Sequence, residues 1–194
     1  MDDPQAAQLE LKQAERAWQA NDFVSAKKHI LGALRNNGAL IHAYLLLGKI
    51  LAEEGQKDDA RKAYEKGAAL EADTAREHFR RGECFLRLEK FPEAKSDFKK
   101  GSKIGPDSYE GWHLLGECYL LTKDYADAEE ALREAVRLNE KRAVTRLHLA
   151  QTYAALKRPE LAEREFIAAV ELAPEDAGIK EEFETFKKSG RTGY

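Results

Sequence analysis

The chain has 194 residues, 35% charged and 43% hydrophobic, a balance that excludes a disordered polypeptide and describes a folded, well-solvated one. Lys and Arg number 32 against 35 Asp and Glu, for a net charge of −3 with no long block of one sign, so the basic face that a nucleic-acid binder needs is not evident. No apolar run reaches the roughly 18 residues of a membrane span, Met1-Asp2-Asp3-Pro4 lacks the charged-then-apolar start of a secretory signal, and two cysteines fit a reducing compartment, so a cytoplasmic location is expected.

In chain order, residues 1–6 are expected to fray, and a 34-residue frame follows without insertion: 7–40, 41–74, 75–108, 109–142 and 143–176. Each unit predicts a first helix over roughly its first fourteen positions, a turn and a second helix. Frame position 8 reads Ala14, Gly48, Gly82, Gly116, Ala150. Position 20 reads Ala26, Ala60, Ala94, Ala128, Ala162, and position 27 reads Ala33, Gly67, Gly101, Ala135, Ala169. All fifteen are Ala or Gly, so two helix axes can approach closely there. Bulky side chains fill the adjacent gaps: Ala17, Leu51, Phe85, Tyr119 and Tyr153 at position 11, where only the first is small, and Ile30, Tyr64, Phe98, Leu132 and Phe166 at position 24. Pro106 and Pro174 fall at position 32, where a second helix stops. Beyond the frame, residues 177–188 predict a helix with Ile179, Phe183 and Phe186 on one face. It is read as a cap on the fifth unit, with partner contact as the alternative. Residues 189–194 are expected to fray.

The fourth unit carries the fullest pattern, Trp112-x2-Leu115-Gly116-x2-Tyr119 followed by Ala128 and Ala135. This resembles the tetratricopeptide repeat, and the resemblance covers five units over residues 7–176. It implies an all-α, right-handed helical-hairpin solenoid with a C-terminal capping helix. The pattern departs at position 4, which reads Glu10, Tyr44, His78, Trp112, Arg146, and at position 7, which includes Gln13 and Arg81. The first unit matches least, as a terminal repeat does.

No local signature of catalysis is present: no Gly-x-Ser-x-Gly, no Walker motif, no Gly-x-Gly-x-x-Gly. The chain is therefore read as non-enzymatic, without cofactor or metal. Cys84 and Cys118 occupy the same frame position in successive units, which favours a packing role over a metal or redox pair. His42, His78, His113 and His148 recur once per unit but at different positions, so they form no row of zinc ligands.

The resemblance also implies that the first helices line a concave groove. Leu11, Leu45, Phe79, His113 and Leu147 at position 5, with Trp18 at position 12, then give a broken apolar stripe. Glu15, Lys49, Glu83, Glu117 and Gln151 at position 9 give a mostly acidic row beside it, and Arg76 and Arg80 stand at positions 2 and 6 of the third unit. The expected partner is another protein, an apolar and basic peptide or an amphipathic helix, with self-assembly into a homo-oligomer as the alternative; neither nucleic acid nor a membrane is expected. In family members that bind acidic chaperone tails, a clamp needs further Lys and Asn residues. Leu11, Glu15, Leu45 and Leu46 occupy those positions here, so no such clamp is expected, while Arg76 and Arg80 remain candidate positions for an acidic group.

Overall fold

A computed structural model describes residues 3–191. Among them are eleven α-helices and no strand: α1 Pro4–Gln19, α2 Phe23–Asn36, α3 Ile41–Glu53, α4 Lys57–Ala68, α5 Ala75–Arg87, α6 Phe91–Ile104, α7 Tyr109–Leu121, α8 Tyr125–Leu138, α9 Ala143–Ala155, α10 Pro159–Leu172 and α11 Ala177–Arg191. From α2 onward each helix through α8 starts 34 residues before its counterpart in the next hairpin. The fold is all-α, a solenoid of helical hairpins. Two compact units divide after Gly101, within α6. In the first, α1 packs on α2, α3 on α4, and the first helices α1, α3 and α5 lie side by side. In the second, α7 packs on α8, α9 on α10, and α7, α9 and α11 are neighbours.

The N-terminus differs from expectation. Asp3 is the N-cap of α1, its carboxylate accepting from the backbone N–H of Gln5 at 3.1 Å and Ala6 at 3.0 Å, and Pro4 fits the first turn because no N–H is needed there. Residues 3–6 are therefore capped helix, not a frayed end; Met1 and Asp2 lie outside the described residues. At the other terminus α11 continues past 188 to Arg191, into the span expected to fray, and 192–194 lie outside the described residues.

Each hairpin turns through one residue in the left-handed region: Asn21, Gly55, Glu89, Lys123 and Lys157, with φ of 57°, 79°, 59°, 62° and 57°. The next N–H then reaches back to the carbonyl five residues earlier, as in Asp124 to Tyr119 and Arg158 to Tyr153, both at 2.9 Å. This closes the end of every first helix in the same way and sets the angle at which the second helix returns.

The small residues do the packing expected of them. A Cβ on Gly82 would sit 2.6 Å from the Phe98 ring, and one on Gly116 would sit 2.5 Å from Leu132 Cγ, so positions 8 and 24 of one hairpin interlock. Position 4 explains its own departures. Glu10 pairs with His29 at 2.6 Å, His78 with Asp97 at 3.0 Å, and Arg146 with Glu165 at 2.7 Å, each joining position 4 to position 23 across one hairpin. The two hairpins between hold Tyr44 with Ala63 and Trp112 with Ala131 at those positions. Polar pair and aromatic–alanine pair thus alternate along the chain. On α11, Ile179 is buried and the Phe183 and Phe186 rings lie 5.4 and 5.0 Å from that of Phe166 on α10.

Candidate functional site

The face built by the first helices has to be read one unit at a time. In the first unit, Leu45 is 3% exposed inside the core and Phe79 is 8% exposed, its ring against Gly101. Leu11 and Trp18 are part-buried against the core cluster of Ala14, Ile30 and Leu46. Position 5 therefore points mainly at the packed second helix, and the apolar stripe expected on the groove surface is largely core at Leu45 and Phe79. The physical reason is the small residue opposite: Gly101 leaves a cavity that a large side chain fills, which withdraws that side chain from the surface.

What this face does present is charge, tied across helices. Glu15 on α1 lies 3.1 Å from His42 Nε2 on α3, and Lys49 on α3 lies 2.7 Å from Glu83 on α5. Arg87 also reaches Glu83, at 3.3 Å, and the Lys49 ammonium stands 5.8 Å over the Trp18 ring. Burial, with Arg80, Lys49 and Arg76 nearby, lowers His42 to about 3, so its imidazole is neutral at pH 7 beside the Glu15 carboxylate. Arg76 is exposed and Arg80 part-buried on the same side of α5.

Below this face sits a buried clip. Arg81 donates to Asp97 through Nε at 2.6 Å and Nη2 at 2.7 Å, and to the Leu70 carbonyl through Nη1 at 2.9 Å; His78 completes the set on Asp97. Burial would raise the Asp97 carboxyl, but the hydrogen bonds from Arg81 and His78 outweigh it and hold the group below the usual range. The clip joins α5, α6 and the loop after α4.

In the second unit the corresponding face is centred on two neutral histidines. The His113 and His148 rings stack at 5.1 Å with 8° between planes, and His113 Nδ1 is hydrogen-bonded to Thr145 Oγ1 at 3.1 Å. Burial lowers both, His113 to about 4 with His148 and Arg142 contributing, so the pair is uncharged at neutral pH. Gln151 Nε2 donates to Glu182 on α11 at 2.9 Å, which ties the last helix to the row. Leu147 and Glu117 are part-buried, and Glu117 is engaged with neighbours.

The other candidates read as packing. Cys84 and Cys118 are buried free thiols, and burial pushes Cys84 up to about 12, far from a reactive thiolate. Among the described residues no group of three or more His, Cys, Asp or Glu side chains is placed to hold a metal ion, and no helix is long and apolar enough to cross a membrane.

Two family models described as Tetratricopeptide repeat match the chain, one over residues 11–76, 45–100 and 79–143, the other over 122–181. No curated protein matches the sequence. Solved structures share the fold. TTC0263, a thermophilic TPR protein in Thermus thermophilus, superposes with a TM-score of 0.72 at 19% identity, over 93% of this chain and 98% of its own. A chain of the APC/C hetero-tetramer Cut9–Hcn1 gives a TM-score of 0.77 at 19% identity over 97% of this chain, which spans 37% of that longer one. YrrB, a TPR protein with an unusual peptide-binding site, gives 0.59 at 16% identity over 89% of both chains.

Proposed function

The chain belongs to the tetratricopeptide repeat family, and from that premise we propose that it is a protein–protein interaction scaffold that docks a segment of another protein on its first-helix face. The observation that supports this reading is the cross-helix tethering of that face. Glu15–His42 and Lys49–Glu83 fix the side chains of α1, α3 and α5, while the His113–His148 stack and Gln151–Glu182 fix those of α7, α9 and α11. A surface held in register before a partner arrives loses little side-chain entropy on binding, so a mobile segment can be ordered on it at lower cost. The fold is shared with YrrB, itself a protein with a peptide-binding site.

Affinity capture from the native cell tests the role. The bait Arg80→Glu/Leu147→Glu alters the first-helix face, and the bait Val24→Glu/Leu31→Glu alters the exposed outer side of α2. Docking on the first helices requires that the first bait lose partners which wild type and the second bait retain. Retention by the first bait with loss by the second would place the contact elsewhere.

A further inference from the structure

The chain holds four asparagines, and Asn37 is the one followed by glycine. It caps the C-terminus of α2 in the link to α3, where its N–H donates to the Ala33 carbonyl at 2.8 Å and its Oδ1 accepts from the Ala39 N–H at 2.9 Å. Asn139, at the same frame position, caps α8 in the same manner, its Oδ1 accepting from the Lys141 N–H at 3.2 Å. The two backbones agree closely, with φ −155° and ψ 106° at Asn37 against φ −149° and ψ 94° at Asn139. What distinguishes them is the next residue, Gly38 against Glu140. The fold does not demand that glycine. Gly38 lies outside the left-handed region, and a Cβ on it would meet nothing nearer than the Leu34 carbonyl oxygen at 3.8 Å. Its N–H donates to no protein acceptor among the described residues.

We propose that Asn37 is a site of spontaneous deamidation and isoaspartate formation, with water as the co-reactant. The Gly38 nitrogen, its proton taken up by solvent base, attacks Asn37 Cγ. The new C–N bond closes a succinimide ring, the Cγ–Nδ2 bond breaks, and ammonia leaves with a proton from solvent. Water then opens the ring, at Cγ to give aspartate or at the main-chain carbonyl to give isoaspartate. One water is consumed, one ammonia is released, and nothing is oxidised or reduced. Three features favour this step at Asn37. Glycine has no Cβ to crowd the attacking nitrogen. The Ala39 N–H draws electron density from the carbonyl under attack. The exposed Gly38, with its N–H unengaged, leaves that nitrogen open to solvent base. Aspartate keeps the bond from Ala39. Isoaspartate instead adds a methylene to the main chain between α2 and α3, whose Ile30, Ala43, Leu46 and Ile50 share one core cluster. The addition falls next to Asn36, whose carbonyl accepts the Asp3 N–H at 3.0 Å, so the link lengthens where the packing of the first hairpin fixes it.

Incubation of the full chain at pH 8 and 37 °C, sampled over weeks by peptide mass spectrometry, tests this. Isoaspartate is counted with an isoaspartyl methyltransferase and labelled S-adenosylmethionine, and circular dichroism melts establish that each variant is folded. Asn37 should exchange its amide for a carboxyl about tenfold faster than Asn139, whose geometry matches but whose neighbour carries a Cβ. Gly38→Ala should slow the loss at Asn37 about tenfold, and Glu140→Gly should bring Asn139 to the rate of Asn37. Labelled methyl groups should map to residue 37. Equal rates at Asn37 and Asn139 overturn the assignment, as does a rate that Gly38→Ala leaves unchanged. Amide loss at Asn37 without methyl acceptance overturns the ring-closing route, since direct hydrolysis gives aspartate alone. The isoaspartyl fraction, separated by ion exchange, should melt below the Asn37→Asp variant; equal midpoints overturn the lengthening of the α2–α3 link.

Discussion

Asp97 carries more of the fold than any exposed charge. It is buried, and three donor groups from Arg81 and His78 converge on its two oxygens. Asp97→Ala leaves Arg81 with its charge uncompensated at the junction of α5, α6 and the preceding loop, and should cost about 3 kcal/mol, read from urea unfolding. The neutral histidines set a second residue-scale expectation. Folded-state values of about 3 for His42 and about 4 for His113 lie below the ordinary 6.5, so the unfolded chain binds more protons between those limits. Stability is therefore full above pH 6.5 and declines as pH falls toward 4; the depressed Asp97 acts in the same sense lower still, its contribution being lost as pH falls through its own folded value. Unfolding midpoints measured from pH 7.5 to 4.5 should drop in the wild type and drop less in His42→Gln/His113→Gln; equal slopes would contradict the assignment. The position-4 pairs were within reach of the sequence but not read from it. Glu10, His78 and Arg146 look like departures when each is taken alone, and become a rule only when each is set beside the complementary residue at position 23, which requires knowing that the two helices run antiparallel at that spacing.

At the scale of the element, helix identity and spacing were legible because fifteen small residues recur in a fixed frame, and small-against-large interlocking is what fixes the distance between paired helices. The turn chemistry was not. The left-handed position is Asn21, Gly55, Glu89, Lys123 or Lys157, and only the first two are residue types that favour it. The closing hydrogen bonds of the surrounding turn impose the conformation, and the side chain merely tolerates it. Lys157 is exposed and bears that strain, so Lys157→Gly should raise stability by about 1 kcal/mol, the relief of strain exceeding the extra flexibility given to the unfolded chain. A lower thermal midpoint in this variant would show that the turn holds no such strain.

For the molecule as a whole, the family frame located the first and second helices of each hairpin but misjudged how much of the first-helix stripe is exposed. Leu45 and Phe79 were expected on the surface and lie in the core, since the sequence periodicity marks which side of a helix is apolar without marking how deep it sinks, as Phe79 does against Gly101. The pairing of charges on that face was not legible for a related reason. A row of Glu residues gives the sign of the side chains, while their ion pairs depend on cross-helix partners such as Lys49 on Glu83, which no single-helix pattern contains. Within each unit the first helices thus carry tethered polar side chains with a few part-buried apolar ones. Site-specific photo-crosslinking in the native cell addresses this most directly, with a benzophenone side chain placed at Arg76, Leu147 or Gln151 on first helices and at Val24 or Leu161 on second helices. Docking on the first-helix face requires adducts to another protein from the first three positions and none from the last two. Adducts from Val24 or Leu161 alone would contradict it.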